Sequence, residues 1–122
     1  MSFIKNRIKP FRHALDGIVS ATMEEWPFKI HWLSVIAVCI AGFYFGVSKN
    51  EWYVIVMCCG IVIAMELVNT AIERLCDAVI PEQNPGIKFV KDASAGAVLI
   101  ASAAAGITGL IIFYPYVIKM FG

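Results

Sequence analysis

Charged residues are what this 122-residue sequence has least of: ten Lys or Arg and nine Asp or Glu make up 16% of the chain, against 60% hydrophobic residues. That balance, with a mean hydropathy of +0.77, excludes an ordinary soluble domain and makes a membrane protein the first expectation. The formal net charge is only +1, and no nucleic-acid partner is expected. Ahead of the first long apolar run there is neither a short apolar core nor a small-residue cleavage site, so no removed leader is expected. Cysteine is present four times, as Cys39, Cys58, Cys59 and Cys76, all in apolar surroundings and two of them adjacent. That pattern offers neither a disulfide framework nor a zinc spacing, and reads as small buried hydrophobes.

What the chain does have is long stretches without charge. Trp32 to Val47 and Trp52 to Met65 carry no Asp, Glu, Lys or Arg, and Ala93 to Ile118 gives 26 such residues in a row. A spanning helix needs about 20 apolar residues. The third run reaches this by itself, the first if Phe28 to His31 lie at the interface, and the second only if its helix continues through Glu66. The sequence therefore predicts an all-α membrane protein, one domain over 1–122, with spans near 29–47, 52–79 and 92–118. A helix near 5–25 precedes them. In it Ile8, Phe11, Leu15 and Ile18 recur at helical spacing among Lys9, Arg12, His13 and Asp16, so it reads as amphipathic and interfacial.

Connections follow from the helix breakers. Pro27 marks a change of direction before the first span, and Gly46, Ser48 and Asn50 make a short turn before the second. The two prolines and glycine of "PEQNPG" are expected to end the second helix in a polar loop. Eight of the ten basic residues lie before the first span or between the second and third. By the positive-inside rule the N-terminus and the loop around 78–92 face the cytoplasm, and the C-terminus lies outside. In the last span, Ala93, Ala97, Ala101, Ala105 and Gly109 form an i+4 series of small residues that lets another helix approach closely. Three short spans bury little surface among themselves, so an oligomer is expected.

The second span turns polar within the stretch "MELVNTAIERLCD", Met65 to Asp77. On a helix, Glu66, Asn69, Glu73 and Asp77 fall within a stripe about 80° wide and roughly 16 Å long, while Leu67, Val68, Ile72 and Leu75 point elsewhere. An ionisable residue at the depth of Glu66 is costly and is a functional candidate by default. Carboxylates and an amide with no compensating Lys or Arg inside the span suit a hard cation such as Mg²⁺, which takes one or two carboxylates plus substrate phosphates. Taken alone, the stripe also fits a small oligomeric cation channel or transporter with Glu66 in the ion pathway.

The run "ELVNTAIERLCD" resembles the signature of the bacterial integral-membrane diacylglycerol kinase family: Glu, two residues, Asn, Ser or Thr, Ala, Ile, Glu, three residues and Asp. "KDASAGAVLI" at Lys91 to Ile100 resembles the element opening that family's last helix, and "EEWPFKIH" at Glu24 to His31 its element before the first span. The likeness covers roughly residues 8–118 in order and spacing. It implies a homotrimer of three-span chains, each with a surface helix, in the bacterial cytoplasmic (inner) membrane. It also implies transfer of the γ-phosphate of Mg-ATP to a lipid hydroxyl, diacylglycerol or undecaprenol. The family has no Walker A loop and no soluble-kinase glycine loop, and this sequence likewise has neither.

By position, the resemblance implies that Glu66 is the catalytic base and that Glu25 and Glu73 bind the metal. Lys91 with Asp92, and the loop residues Glu82, Gln83 and Asn84, are implied to bind the nucleotide. Asn69 and Asp77 are implied polar site residues. His31 stands where the diacylglycerol-specific branch has glutamate, and Ala95 where "KDMGSAAV" elements have serine, both more like the Gram-positive-type branch that includes undecaprenol kinases. "EQNPG" replaces the commoner Glu-Tyr-His-Pro. His31 itself is expected to be an interfacial hydrogen-bonding residue rather than a catalyst.

Overall fold

The computed structural model describes residues 2–122, and these form four helices and no strand: α1 (Ser2–Glu24), α2 (Trp26–Phe45), α3 (Lys49–Val79) and α4 (Pro85–Phe121). As the uncharged runs predict, α2, α3 and α4 are each long and apolar enough to cross a membrane. Their bounds differ from expectation mainly at the prolines. Pro27 lies in the first turn of α2, where a missing N–H removes no helical bond, so the chain breaks at Glu25, whose backbone is extended (φ −112°, ψ 110°). Pro85 and Gly86, expected to break regular structure, instead form the first turn of α4. Ahead of them the Asn84 side-chain oxygen accepts from the Ile87 N–H at 2.9 Å. An N-cap asparagine followed by proline is a helix start. The expected 78–92 loop thus contracts to residues 80–84, and Lys88, Lys91 and Asp92 sit on a helix.

The α2–α3 turn is short because both helix ends are capped within it. Gly46 takes the left-handed conformation (φ 65°) that ends α2, which costs glycine nothing sterically. Two residues on, Ser48 starts α3 with a capping box: the Glu51 N–H donates to Ser48 Oγ (3.2 Å) and the Ser48 N–H to Glu51 Oε1 (2.9 Å). Tyr116 of α4 also donates to Glu51. Beside this turn Val47, Ile55 and Ile112 are buried, with Phe45, Trp52, Phe113 and Tyr116 packed around them. Bonds between Glu25 and Arg74 and between Lys91 and Asp77 tie the opposite end. The three long helices therefore run antiparallel in sequence order.

α3 is the central element, and its contact with α4 is the most extensive in the chain. Trp52, Ile55, Cys59, Val62, Glu66, Asn69, Glu73 and Cys76, alternately three and four residues apart, are all buried or half-buried. That spacing makes one straight seam, the repeat of left-handed helix packing common in membrane bundles. The seam is apolar from Trp52 to Val62 and polar from Glu66 onward. On α4, Ala97, Ala101, Ala105 and Gly109 of the small-residue series are half-buried, whereas Ala93 is exposed. The cysteines are all free; Cys76 is buried and the other three are half-buried.

α2 meets α3 most tightly where Gly42 faces Trp52: a Cβ on Gly42 would lie 2.6 Å from Trp52 Cη2. The indole cannot easily yield, because it packs on Phe43 (centroids 4.8 Å) and borders the buried Val47 cluster. Gly42→Ala is therefore expected to destabilise the protein by about 1–3 kcal/mol, despite alanine's better helix propensity. Thermal unfolding in detergent measures this, and an unchanged or raised midpoint contradicts the close approach. α1 is fastened near its end, where Trp32 Nε1 donates to Thr22 Oγ1 at 3.0 Å. Ile8, Phe11 and Leu15 remain exposed.

Candidate active site

The polar half of the α3 seam meets side chains from α2 and α4. Glu66 is only 7% exposed. No Lys or Arg pairs with it among the described residues; the basic group beside it is His31 of α2, whose Nε2 lies 3.3 Å from Glu66 Oε2. One turn further along, Asn69 is also buried. Its Nδ2 donates to Glu73 Oε1 (3.3 Å), and its Oδ1 accepts from Ser94 Oγ of α4 (2.6 Å). An interhelical bond of this kind is worth about 0.6–2 kcal/mol in a membrane protein, and here it also fixes which way the amide faces.

Towards the end of α3, Lys91 of α4 donates to Asp77. Arg74 reaches across to the break between α1 and α2, where its Nη2 and Nε donate to Glu25 Oε1 at 2.8 and 3.2 Å. Its Nη1 lies 3.6 Å from Glu24 Oε1. In each pair at least one side chain is half or more exposed, so each contributes little to stability. Their consequence is geometric, since they hold the start of α2 and the start of α4 against the same few turns of α3.

The residues picked out from sequence are thus partly assembled and partly dispersed. Glu66, Asn69 and Glu73 share the seam, and Asp77 and Lys91 form a pair. Lys91 and Asp92 diverge, because consecutive helical positions lie about 100° apart: Lys91 turns to Asp77, while Asp92 is bound by Lys88 (2.6 Å) and is 62% exposed. Glu25 stands against Arg74 rather than Glu73. Glu82 and Gln83 are exposed in the 80–84 link, and Asn84 uses its side-chain oxygen as the α4 cap. Ala95 is exposed, and the hydroxyl that meets the seam belongs to its neighbour Ser94.

Sequence reasoning missed Ser94, Arg74 and the contact of His31 with Glu66. Ser94 was findable, because it falls within about 20° of Ala101 and Ala105 on the α4 wheel, in the small-residue face that meets α3. His31 carried no such signal, since α2 is apolar nearly all round.

Two further properties bear on chemistry. Among the described residues no group of three His, Cys, Asp or Glu side chains is drawn into a cage. The oxygen donors near this face are the Glu73 carboxylate and, held apart by Arg74, that of Glu25, while the Asn69 amide oxygen is taken by Ser94. Carboxylate oxygen is the donor type that Mg²⁺ takes, one or two at a time, with water and substrate phosphate filling the rest of its sphere. Beyond His31, towards the α2–α3 turn, an apolar cavity of about 340 Å³ opens between α2, α3 and α4; Val35, Val38, Cys59, Val62 and Gly109 line it. A buried carboxylate thus sits at one end of an oily recess, with further carboxylates and cations one to three turns away towards the helix ends.

A family model described as "Prokaryotic diacylglycerol kinase" matches residues 12–113. The undecaprenol kinase of Bacillus subtilis is 39% identical over 107 residues, covering 88% of this chain and 87% of that protein. The diacylglycerol kinase of Synechocystis is 30% identical over 116 residues, covering 94% of this chain and 66% of that one. That of Haemophilus influenzae is 28% identical over 108 residues, covering 88% and 92%.

Proposed function

The chain belongs to the prokaryotic diacylglycerol kinase family, a family of membrane lipid kinases, and from that premise we propose that it transfers the γ-phosphate of Mg-ATP to undecaprenol, with diacylglycerol as the lesser acceptor. The observation that carries this reading is Glu66, a buried carboxylate with no Lys or Arg partner among the described residues, beside the His31 that lines one end of an apolar cavity. The preference for undecaprenol rests on the similarity to the Bacillus protein of that name and on His31 and Ala95, which follow the branch that includes such enzymes.

In the reaction the lipid hydroxyl oxygen bonds to the γ-phosphorus as the bond from that phosphorus to the β–γ bridging oxygen breaks. ADP leaves, and the hydroxyl proton passes to Glu66. Glu66 and Glu73 are seven residues apart, about 10 Å along the axis, which leaves space for a phosphate between base and metal ligand. Mg²⁺, when bound, would neutralise phosphate charge, and Glu73 and Glu25 are the residues that would hold it. Lys91, close to Asp77, supplies a cation for the phosphates, and Asn69 keeps Glu73 oriented. Phosphoryl transfer is chiefly positioning and charge neutralisation, so this equipment suffices without a glycine-rich loop.

In this reading the protein is a homotrimer in the bacterial inner membrane, with α1 in the cytoplasmic interface, the N-terminus cytoplasmic and the C-terminus outside. Exposed apolar surface on all three spans and the distribution of basic residues support it. ADP release by the purified protein in mixed micelles is expected to require both a long-chain lipid alcohol and Mg²⁺. Adding EDTA should stop it. Release that ignores the alcohol, or persists in EDTA, contradicts the proposal.

A further inference from the structure

We propose that His31 is the positioning residue that joins the lipid acceptor to the base, an inference that rests on the reading above. His31 belongs to two environments at once. Its Nε2 is 3.3 Å from Glu66 Oε2, with the two side chains 21% and 10% exposed, and the same ring lines the apolar cavity between α2, α3 and α4. Glu66 is not among the cavity-lining residues, although Val62, one turn before it, is. A hydrocarbon chain seated in the cavity therefore meets the imidazole at the point where its polar head must find the carboxylate.

The chemistry of the surroundings makes that contact consequential. Glu66 has no Lys or Arg beside it among the described residues, and its neighbours along the seam are apolar on one side and committed on the other. Asn69 spends its amide on Glu73 and Ser94, while the His31 ring stands against the Glu66 carboxylate and can orient it. A buried carboxylate without an orienting partner turns towards whatever water reaches it. In that state it no longer faces the acceptor. Histidine also offers what an apolar residue cannot: a flat ring that packs against hydrocarbon, with nitrogen at its edge for the carboxylate or the alcohol. His31 thus acts through Glu66 and on the acceptor's approach, while the nucleotide is held several turns away by other residues.

Steady-state kinetics with the full chain in mixed micelles, varying undecaprenol and Mg-ATP separately, test this. His31→Ala is expected to lower kcat/KM for the lipid by about 100-fold, the scale of a misplaced reacting group, with KM for Mg-ATP unchanged. His31→Gln places an amide nitrogen where Nε2 was and is expected to recover most of the lost rate. Binding of a fluorescent ATP analogue and the unfolding temperature show that each variant is folded. Wild-type lipid kinetics in His31→Ala would overturn the inference while leaving the kinase reading in place. So would a His31→Gln variant as impaired as His31→Ala, or an equal loss of ATP binding. If the wild-type protein phosphorylates no lipid alcohol, the kinase reading falls and this inference falls with it.

Discussion

Glu66→Gln is expected to lower kcat for lipid phosphorylation by about 10²–10⁴-fold, the usual contribution of a positioned general base, while Mg-ATP binds as before. The substitution keeps size and polarity, so the neighbours of Glu66 keep their places, yet an amide cannot take the hydroxyl proton. Because Glu66 is 7% exposed and its basic neighbour is a histidine, a neutral amide at this position should also be tolerated by the fold, and by hydrocarbon surroundings better than the carboxylate. Single-turnover transfer and equilibrium binding of an ATP analogue separate the two effects. A variant with unaltered turnover removes the base assignment, and one that loses nucleotide binding in proportion to turnover moves Glu66 into the nucleotide site.

Glu73→Gln should fail in the complementary way. Glu73 lies two turns from Glu66 on the same seam, and Asn69 Nδ2 holds its Oε1, which leaves the second carboxylate oxygen for a cation. Removal of a group that only orients a metal ligand costs about 10–100-fold in metal affinity or activity. Loss of the ligand itself should cost at least as much, expressed as a raised KM for Mg-ATP and a raised Mg²⁺ requirement. The KM for lipid should stay put. Titrating Mg²⁺ at fixed ATP, and Mn²⁺ binding followed by electron paramagnetic resonance, check this. An unchanged cation requirement would place the metal elsewhere, whereas opposite signatures in Glu66→Gln and Glu73→Gln would map the lipid and nucleotide ends of one helix face.

The sequence makes that face legible because a helix in an apolar environment advertises its polar residues. Glu66, Asn69, Glu73 and Asp77 stand out at helical period from an otherwise uncharged run, and the three spans follow from counting uncharged residues. What could not be read was anything set by the rotation of one helix against another. α2 is apolar on nearly all sides, so no periodicity marks His31 as its inward position, and the Arg74–Glu25 pair joins residues 49 positions apart. Lys91 and Asp92 show the same dependence on neighbouring helices, since the one finds Asp77 on α3 and the other Lys88 on its own helix. The Asn84-Pro85-Gly86 start of α4 was readable in principle. Proline and glycine break helices only from within, and an N-cap asparagine just before them signals a beginning.

The measurement that bears most directly on the central claim is label transfer from [γ-³²P]ATP in mixed micelles containing undecaprenol, diacylglycerol or both. The account predicts Mg²⁺-dependent labelled undecaprenyl phosphate from the wild-type chain, preferred over labelled phosphatidic acid when the acceptors compete, and neither product from Glu66→Gln. Absence of labelled lipid with either alcohol, from folded protein that binds Mg-ATP, would contradict it.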